Sequence, residues 1–96
     1  MEKPVLQLKQ TSQFKKDLRR MVKRGADMKL LDEVVSLLLK QEVLPENYKD
    51  HPLTGNWSGY RDCHIEPDWI LIYRIEEDSL VLLATRTGTH SDIFDS

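Results

Sequence analysis

"YRDCHIEPDWILIYRIEEDSLVLLATR" (residues 60–86) decides the fold. It holds three runs rich in apolar and β-branched residues: Tyr60 to Ile65, Trp69 to Ile75 and Leu80 to Arg86. The turns between them, "EPD" and "EEDS", are so short that only antiparallel pairing is open to the strands they join. A three-stranded meander follows. Its middle run, Trp69-Ile70-Leu71-Ile72-Tyr73, is as apolar as a core strand can be and anchors the sheet.

Upstream, "PVLQLKQ" (residues 4–10) alternates apolar and polar side chains and reads as a short strand. Thr11 or Ser12 caps a helix over roughly 13–24, in which Phe14, Leu18, Met21 and Val22 form an inner stripe. Gly25 closes this helix, and Asp27 caps a second that runs to about Glu42 and is ended by Pro45. Leu31, Val34, Val35 and Leu38 are its inner residues. A turn this short makes the two helices an antiparallel hairpin. Residues 43–58 are a loop with a short strand near Leu53. The tail is too short for a full element, and Ile93 and Phe94 pack back as a single turn. The expected fold is a single α+β domain over 1–96, a small curved antiparallel sheet of N-terminal strand plus meander, covered by the helical hairpin.

Composition limits the functional classes. The chain has 96 residues with 40% hydrophobic and 31% charged content, ordinary for one soluble domain. No apolar run approaches the ~18 residues of a membrane span, and "MEKPVLQLKQ" lacks the apolar core of an export signal. One cysteine, Cys63, excludes an internal disulfide and fits a reducing, cytoplasmic setting. Residues 1–30 carry nine Lys or Arg against three acids, whereas residues 31–96 carry five against thirteen. A basic end on an acidic remainder suits contact with a polyanion, and a solvated helix face accounts for it equally well.

All three histidines stand where elements end. His51 lies in the loop before the meander, His64 near the end of its first strand, and His90 just past its last. Meander connectivity sets His64 against Asp68 across the "EPD" turn and returns Arg86 and His90 to the same edge. Imidazole titrates near neutrality, so two histidines can serve as base and acid in one turnover. An arginine fork matches phosphate oxygens and the charge of a phosphoryl transition state. These are the parts of a metal-free ribonuclease, in which the 2′-OH attacks the adjacent phosphate and leaves a 2′,3′-cyclic product. Three other readings stand beside it. Each histidine can be an idle surface residue. Three histidines and an aspartate can bind zinc, although neither HxH nor HExxH spacing occurs and Arg86 would repel the ion. Trp57, Tyr60, Trp69 and Tyr73 can stack on bases, but they read better as core and sheet residues. Phe94, in a polar tail, is the aromatic singled out for stacking.

"YKDHPL", "GYRDCHIEPDWILIY" and "RTGTH" together resemble the YafQ-type toxins of the RelE/ParE superfamily in bacterial toxin–antitoxin modules, over nearly the whole chain. The resemblance implies a RelE-like fold and a ribosome-dependent endoribonuclease that cuts mRNA in the decoding site without a cofactor. It implies a cognate antitoxin that covers the active region. It carries over His51, His64, Asp68 and His90 as catalytic positions, Arg86 at the phosphate and Phe94 near a base. In the expected division of labour, His90 and Asp68 flank the scissile phosphate as a proton-transfer pair, while His51 and His64 orient the 2′-OH and phosphate, with either able to act as base. Lys15, Lys16, Arg19, Arg20, Lys23 and Arg24 would meet ribosomal RNA. The same superfamily includes non-nucleolytic toxins that bind DNA gyrase, the alternative function for this chain.

Overall fold

The computed structural model describes residues 3–95; Met1, Glu2 and Ser96 lie outside the described residues. A five-stranded sheet takes the order β1-β5-β4-β3-β2, with β1 over Gln7–Gln10, β2 over His51–Pro52, β3 over Arg61–Glu66, β4 over Trp69–Glu76 and β5 over Val81–Gly88. The meander is as expected, antiparallel throughout. The sheet is mixed rather than purely antiparallel, because β1 runs parallel to β5, with Gln7 opposite Val81 and Gln10 opposite Ala84. Parallel partners need a long crossover between them, and the helical hairpin together with β2 to β4 supplies it.

Helix α1 (Ser12–Lys23) begins where expected, with the Thr11 hydroxyl accepting from the Phe14 amide. It ends in a Schellman motif: Gly25 stands at φ 83°, its N–H donates to Val22, and that of Ala26 donates to Met21. Helix α2 (Met28–Leu39) stops about three residues before the expected Glu42. Gln41 takes a left-handed conformation (φ 57°) and builds the same double carbonyl closure, with its side-chain amide donating to the Pro4 carbonyl. The stop is therefore made by a non-glycine residue held from outside the helix, and Pro45 plays no part in it.

The two faces of the sheet are covered unequally. Phe14 and Met21 of α1 and Leu31, Val34 and Leu38 of α2 pack with Cys63, Ile65, Trp69, Leu71, Tyr73, Leu82 and Ala84 on one face. The expected inner residue Val22 is instead 54% exposed, and the stripe of α1 includes the fully buried acid Asp17. On the other face Ile70 and Ile72 meet Ile93, with Leu53, Trp57 and Tyr60 around them. Ile93 belongs to a five-residue helix, α3 (His90–Phe94), which gives the expected terminal turn a defined form. The expected strand near Leu53 falls at His51–Pro52. Both sides of β4 are thus buried, and the thinly covered second face is where the polar side chains gather. Among the described residues no helix is long and apolar enough to cross a membrane.

Candidate functional site

Strand register places the site. Asp62 lies opposite Ile72 and His64 opposite Ile70, so both side chains stand on the second face beside those isoleucines. His51 pairs with Asp62 from the edge strand β2. His90 begins α3 directly after β5, and its ring centroid is 5.2 Å from that of His64. β2, β3 and α3 are distant in sequence, yet the sheet brings these four residues together on its second face, the cleft face.

Both outer histidines are oriented through Nδ1. In His90 this nitrogen lies 2.8 Å from Asp68 Oδ1, and the His90 backbone N–H donates to the same oxygen at 3.1 Å. These contacts hold the Asp68 carboxyl below its ordinary value, the side-chain hydrogen bond contributing most. An ionised carboxylate only accepts, so Nδ1 carries the proton and Nε2 is the nitrogen left for chemistry. His51 repeats the pattern with a different acceptor, its Nδ1 lying 2.8 Å from the Lys49 carbonyl oxygen. Asp68 therefore holds His90 from the Nδ1 side and sets the orientation of its ring.

Asp62 is the member that sequence reasoning missed. It is only 3% exposed, and its Oδ1 has no hydrogen-bond donor among the described residues. His51 Nδ1 is 3.1 Å from that oxygen, an ion-pair distance, but its hydrogen bond goes to Lys49. Burial raises the Asp62 carboxyl above its ordinary value, while the charges of His51, His64 and His90 pull it down. Every histidine of the chain thus acts on this one carboxylate. The period-two alternation of Asp62 and His64 along one strand was the available signal.

Arg86 is on the cleft face by virtue of a bulge. Ala84 pairs with Tyr73 in the helix-side core, and Arg86, two residues on, would share that face in a regular strand. The register shift between Ile72 and Tyr73 leaves Thr85 as the extra residue, so Arg86 pairs with Ile72 instead. The expected position beside Asp68 is corrected: β5 runs on to Gly88, opposite Ile70, and it is His90 that reaches Asp68. The Arg86 guanidinium is fixed by Asp17, with Nε donating to Oδ2 at 2.7 Å and Nη2 to Oδ1 at 3.3 Å.

Asp17 has a second task. Strand β1 leaves β5 at the Gln10–Ala84 pair, and beyond it the Thr87 N–H donates to Asp17 Oδ2 at 3.2 Å. One buried carboxylate therefore closes the sheet edge and sets the arginine. Its burial favours the neutral acid, but Arg86, Gln13 and the Thr87 amide outweigh this and hold the carboxyl below its ordinary value.

The remaining candidates lie around the cleft. Phe94 is 40% exposed, packed edge-on to Trp57 at 6.4 Å and tilted to His90 at 6.3 Å. Trp57 in turn packs edge-on to Tyr60 at 5.5 Å. Trp69 and Tyr73 are buried on the helix side, as core residues, with the Trp69 indole donating to Thr87 Oγ1. Lys15, Lys16, Arg19 and Lys23 are exposed on α1. Arg20 and Arg24 are also exposed, but both pair with Asp92 of α3, at 3.5 and 2.6 Å. Cys63 is fully buried among apolar side chains, which pushes its thiol far up and away from nucleophilic use. Among the described residues no group of three or more His, Cys, Asp or Glu converges as a metal site.

Asp92 ties α3 down two ways, accepting from Arg24 and completing a capping box with Thr89, and these bonds hold its carboxyl below its ordinary value, the Arg24 contact leading. A depressed carboxyl stabilises the fold above its unfolded pKa and loses that contribution as pH falls. Asp92→Asn is expected to lower stability by about 1 kcal/mol at neutral pH, since capping contacts carry most of it and the exposed arginines add little. In denaturant titrations the gap to the parent should narrow below about pH 4, where unfolded aspartate takes up its proton.

Comparison with known proteins bears directly on this cleft. A family model described as "Bacterial toxin of type II toxin-antitoxin system, YafQ" matches residues 6–95. The mRNA interferase toxin YafQ of Escherichia coli K12 is 47% identical over 85 residues, which cover 88% of this chain and 90% of that protein. The crystal structure of YafQ from E. coli BL21(DE3) superposes with a TM-score of 0.86 at 43% identity, covering 93% of this chain and 98% of that one. The crystal structure of the E. coli DinJ-YafQ toxin-antitoxin complex matches with a TM-score of 0.84 at 44% identity, covering 93% and 97%.

Proposed function

Because the chain belongs to the YafQ family of bacterial toxins of type II toxin–antitoxin systems, we propose that it is an endoribonuclease that cuts mRNA in the ribosomal A site and is silenced by a cognate antitoxin. The observation that carries this reading is the shared presentation of His51 and His90. Each spends Nδ1 on a fixed acceptor and keeps Nε2 for a proton transfer.

In the reaction, one imidazole takes the 2′-OH proton through Nε2 as the oxygen attacks the neighbouring phosphorus. The other, protonated, gives its proton to the departing 5′-oxygen. The P–O5′ bond breaks as the P–O2′ bond forms, leaving a 2′,3′-cyclic phosphate and a 5′-OH. Asp68 stabilises the His90 imidazolium through the Nδ1 hydrogen bond. Asp62, when ionised, favours positive charge on whichever neighbouring imidazole holds the proton. Arg86 neutralises the pentacoordinate phosphorane, and Phe94 offers a ring face to a base. Substrate geometry comes from the ribosome: α1 supplies positive charge for rRNA phosphates through Lys15, Lys16, Arg19 and Lys23.

Brief induction of the chain followed by mapping of mRNA 5′ ends tests this. Cuts locked to the reading frame are expected, and their absence alongside arrested supercoiling would transfer the function to gyrase binding. Asp62→Asn, which keeps shape and removes the charge, is expected to slow cutting about 10-fold or more. An unchanged rate on isolated ribosome complexes would remove Asp62 from the mechanism.

A further inference from the structure

His51 belongs to a strand of only two residues, one of them Pro52, at the free edge of the sheet. Its side chain is half exposed. So short a ladder offers little to fix a ring that must meet a proton within a few tenths of an ångström. The fixation comes from the preceding residue, on the opposite side of the sheet.

Asp50 turns away from the cleft. Its Oδ1 accepts from the Tyr73 hydroxyl at 2.6 Å and from Arg61 Nε at 3.3 Å, and its Oδ2 accepts from Arg61 Nη2 at 3.3 Å. Tyr73 is 1% exposed in the middle of β4, and Arg61 lies directly opposite it in β3, both on the helix side. The carboxylate is thereby bolted to β3 and β4, the latter buried on both faces. Asp50 directly precedes β2, and its side chain is held by Tyr73 on the helix side while His51 pairs with Asp62 on the other face, so fixing Asp50 restrains the backbone that carries His51. Lys49, the residue before Asp50, caps the 3-10 turn Glu46–Tyr48 in a left-handed conformation (φ 50°, ψ 41°), its N–H donating to the Glu46 carbonyl, and its own carbonyl is the acceptor that claims His51 Nδ1. A lysine there is uncommon, and the Asp50 contacts pin the chain immediately after it.

We infer that Asp50, Tyr73 and Arg61 form a positioning network that sets the orientation and the Nδ1–H tautomer of His51 from across the sheet. The catalytic consequence rests on the ribonuclease reading; the tautomer does not. None of the three side chains touches the reacting atoms. They act through the Lys49 carbonyl, which leaves Nε2 of neutral His51 as a lone pair ready to accept.

The test is imidazole nitrogen NMR on the intact chain, read together with single-turnover cutting of ribosome-bound mRNA. Wild-type His51 should be in the Nδ1–H form. Tyr73→Phe and Asp50→Asn should each shift it toward a mixture while His90, held by Asp68, keeps its signal; general loosening of the fold would move both. Cutting at saturating ribosome should fall roughly 10-fold, as expected for one lost hydrogen bond to a charged group, with ribosome affinity unchanged. Asp50→Asn is at a partly exposed position and remains informative if Tyr73→Phe does not fold. A wild-type His51 in the Nε2–H form, or an unshifted signal in the folded variants, would overturn the network whatever the cutting assay gives. A shifted tautomer with undiminished cutting would overturn its catalytic consequence. A wild type that does not cut at all, with the tautomer shift intact, would support the network and refute the ribonuclease reading instead.

Discussion

Replacing His90 by alanine is expected to reduce mRNA cutting by roughly 10²- to 10⁴-fold, the range for removal of a positioned general acid or base. Little else should change. The side chain is 44% exposed, its hydrogen bond goes to Asp68, itself 68% exposed, and its ring packs only on the surface rings of His64 and Phe94, so thermal stability should stay within a few degrees. Asp68→Asn is expected to lose less, about 10-fold, because the amide oxygen, fixed by the His90 backbone N–H, still accepts from Nδ1 while the bond loses its ionic partner. Single-turnover cutting and a melting curve on each variant check the pair. Equal losses at the two positions would mean that Asp68 does more than orient and charge the ring.

The second large effect is on stability. Arg86→Ala removes the cation that compensates a fully buried carboxylate, leaving Asp17 with Gln13 and the Thr87 amide as its hydrogen-bond donors. Breaking a buried pair from one side costs about 3 kcal/mol or more, which in a domain of this size lowers Tm by roughly 15 °C. Loss of toxicity in this variant would therefore not by itself establish a role for Arg86 at the phosphate. The double variant Asp17→Asn with Arg86→Ala separates the two. It removes the uncompensated charge while keeping an acceptor for the Thr87 N–H, so most of the lost stability should return and the activity should not. Chemical denaturation with a parallel cutting assay reads both quantities. Recovery of cutting in the double variant would confine Arg86 to holding the fold.

Much of this arrangement was legible in the sequence, for identifiable reasons. The meander follows from two very short turns and an apolar middle strand, and with it the meeting of His64, Asp68 and His90 at one edge. What was not legible depends on single residues departing from local rules. The bulge at Thr85 turns Arg86 to the cleft face, and strict alternation would have placed it in the helix-side core. Asp17 fits a helix stripe by spacing, but an acid there reads as solvated until β5 is seen to need an acceptor for its edge amide. Val22 fits the i+8 position of the α1 stripe by spacing, yet it lies at the edge of the stripe and is 54% exposed. The left-handed Gln41 ends α2 early through a tie to Pro4, which no helix-stop signal announces. Asp62 was within reach, since it shares a strand face with His64, and was passed over because its burial arises from β2 and the residues following β5.

The central claim is that this cleft cuts RNA by in-line attack of the 2′-OH, with histidines moving the protons. The ends of the cut mRNA report this directly. Treating the products with a kinase that labels 5′-OH and with a phosphatase that acts on 2′,3′-cyclic phosphates should reveal a 5′-OH on the downstream fragment and a cyclic phosphate, or the 3′-phosphate formed from it, upstream. A 5′-phosphate with a free 3′-OH would mean that water, not the 2′-OH, attacks the phosphorus, and the histidine mechanism would be contradicted.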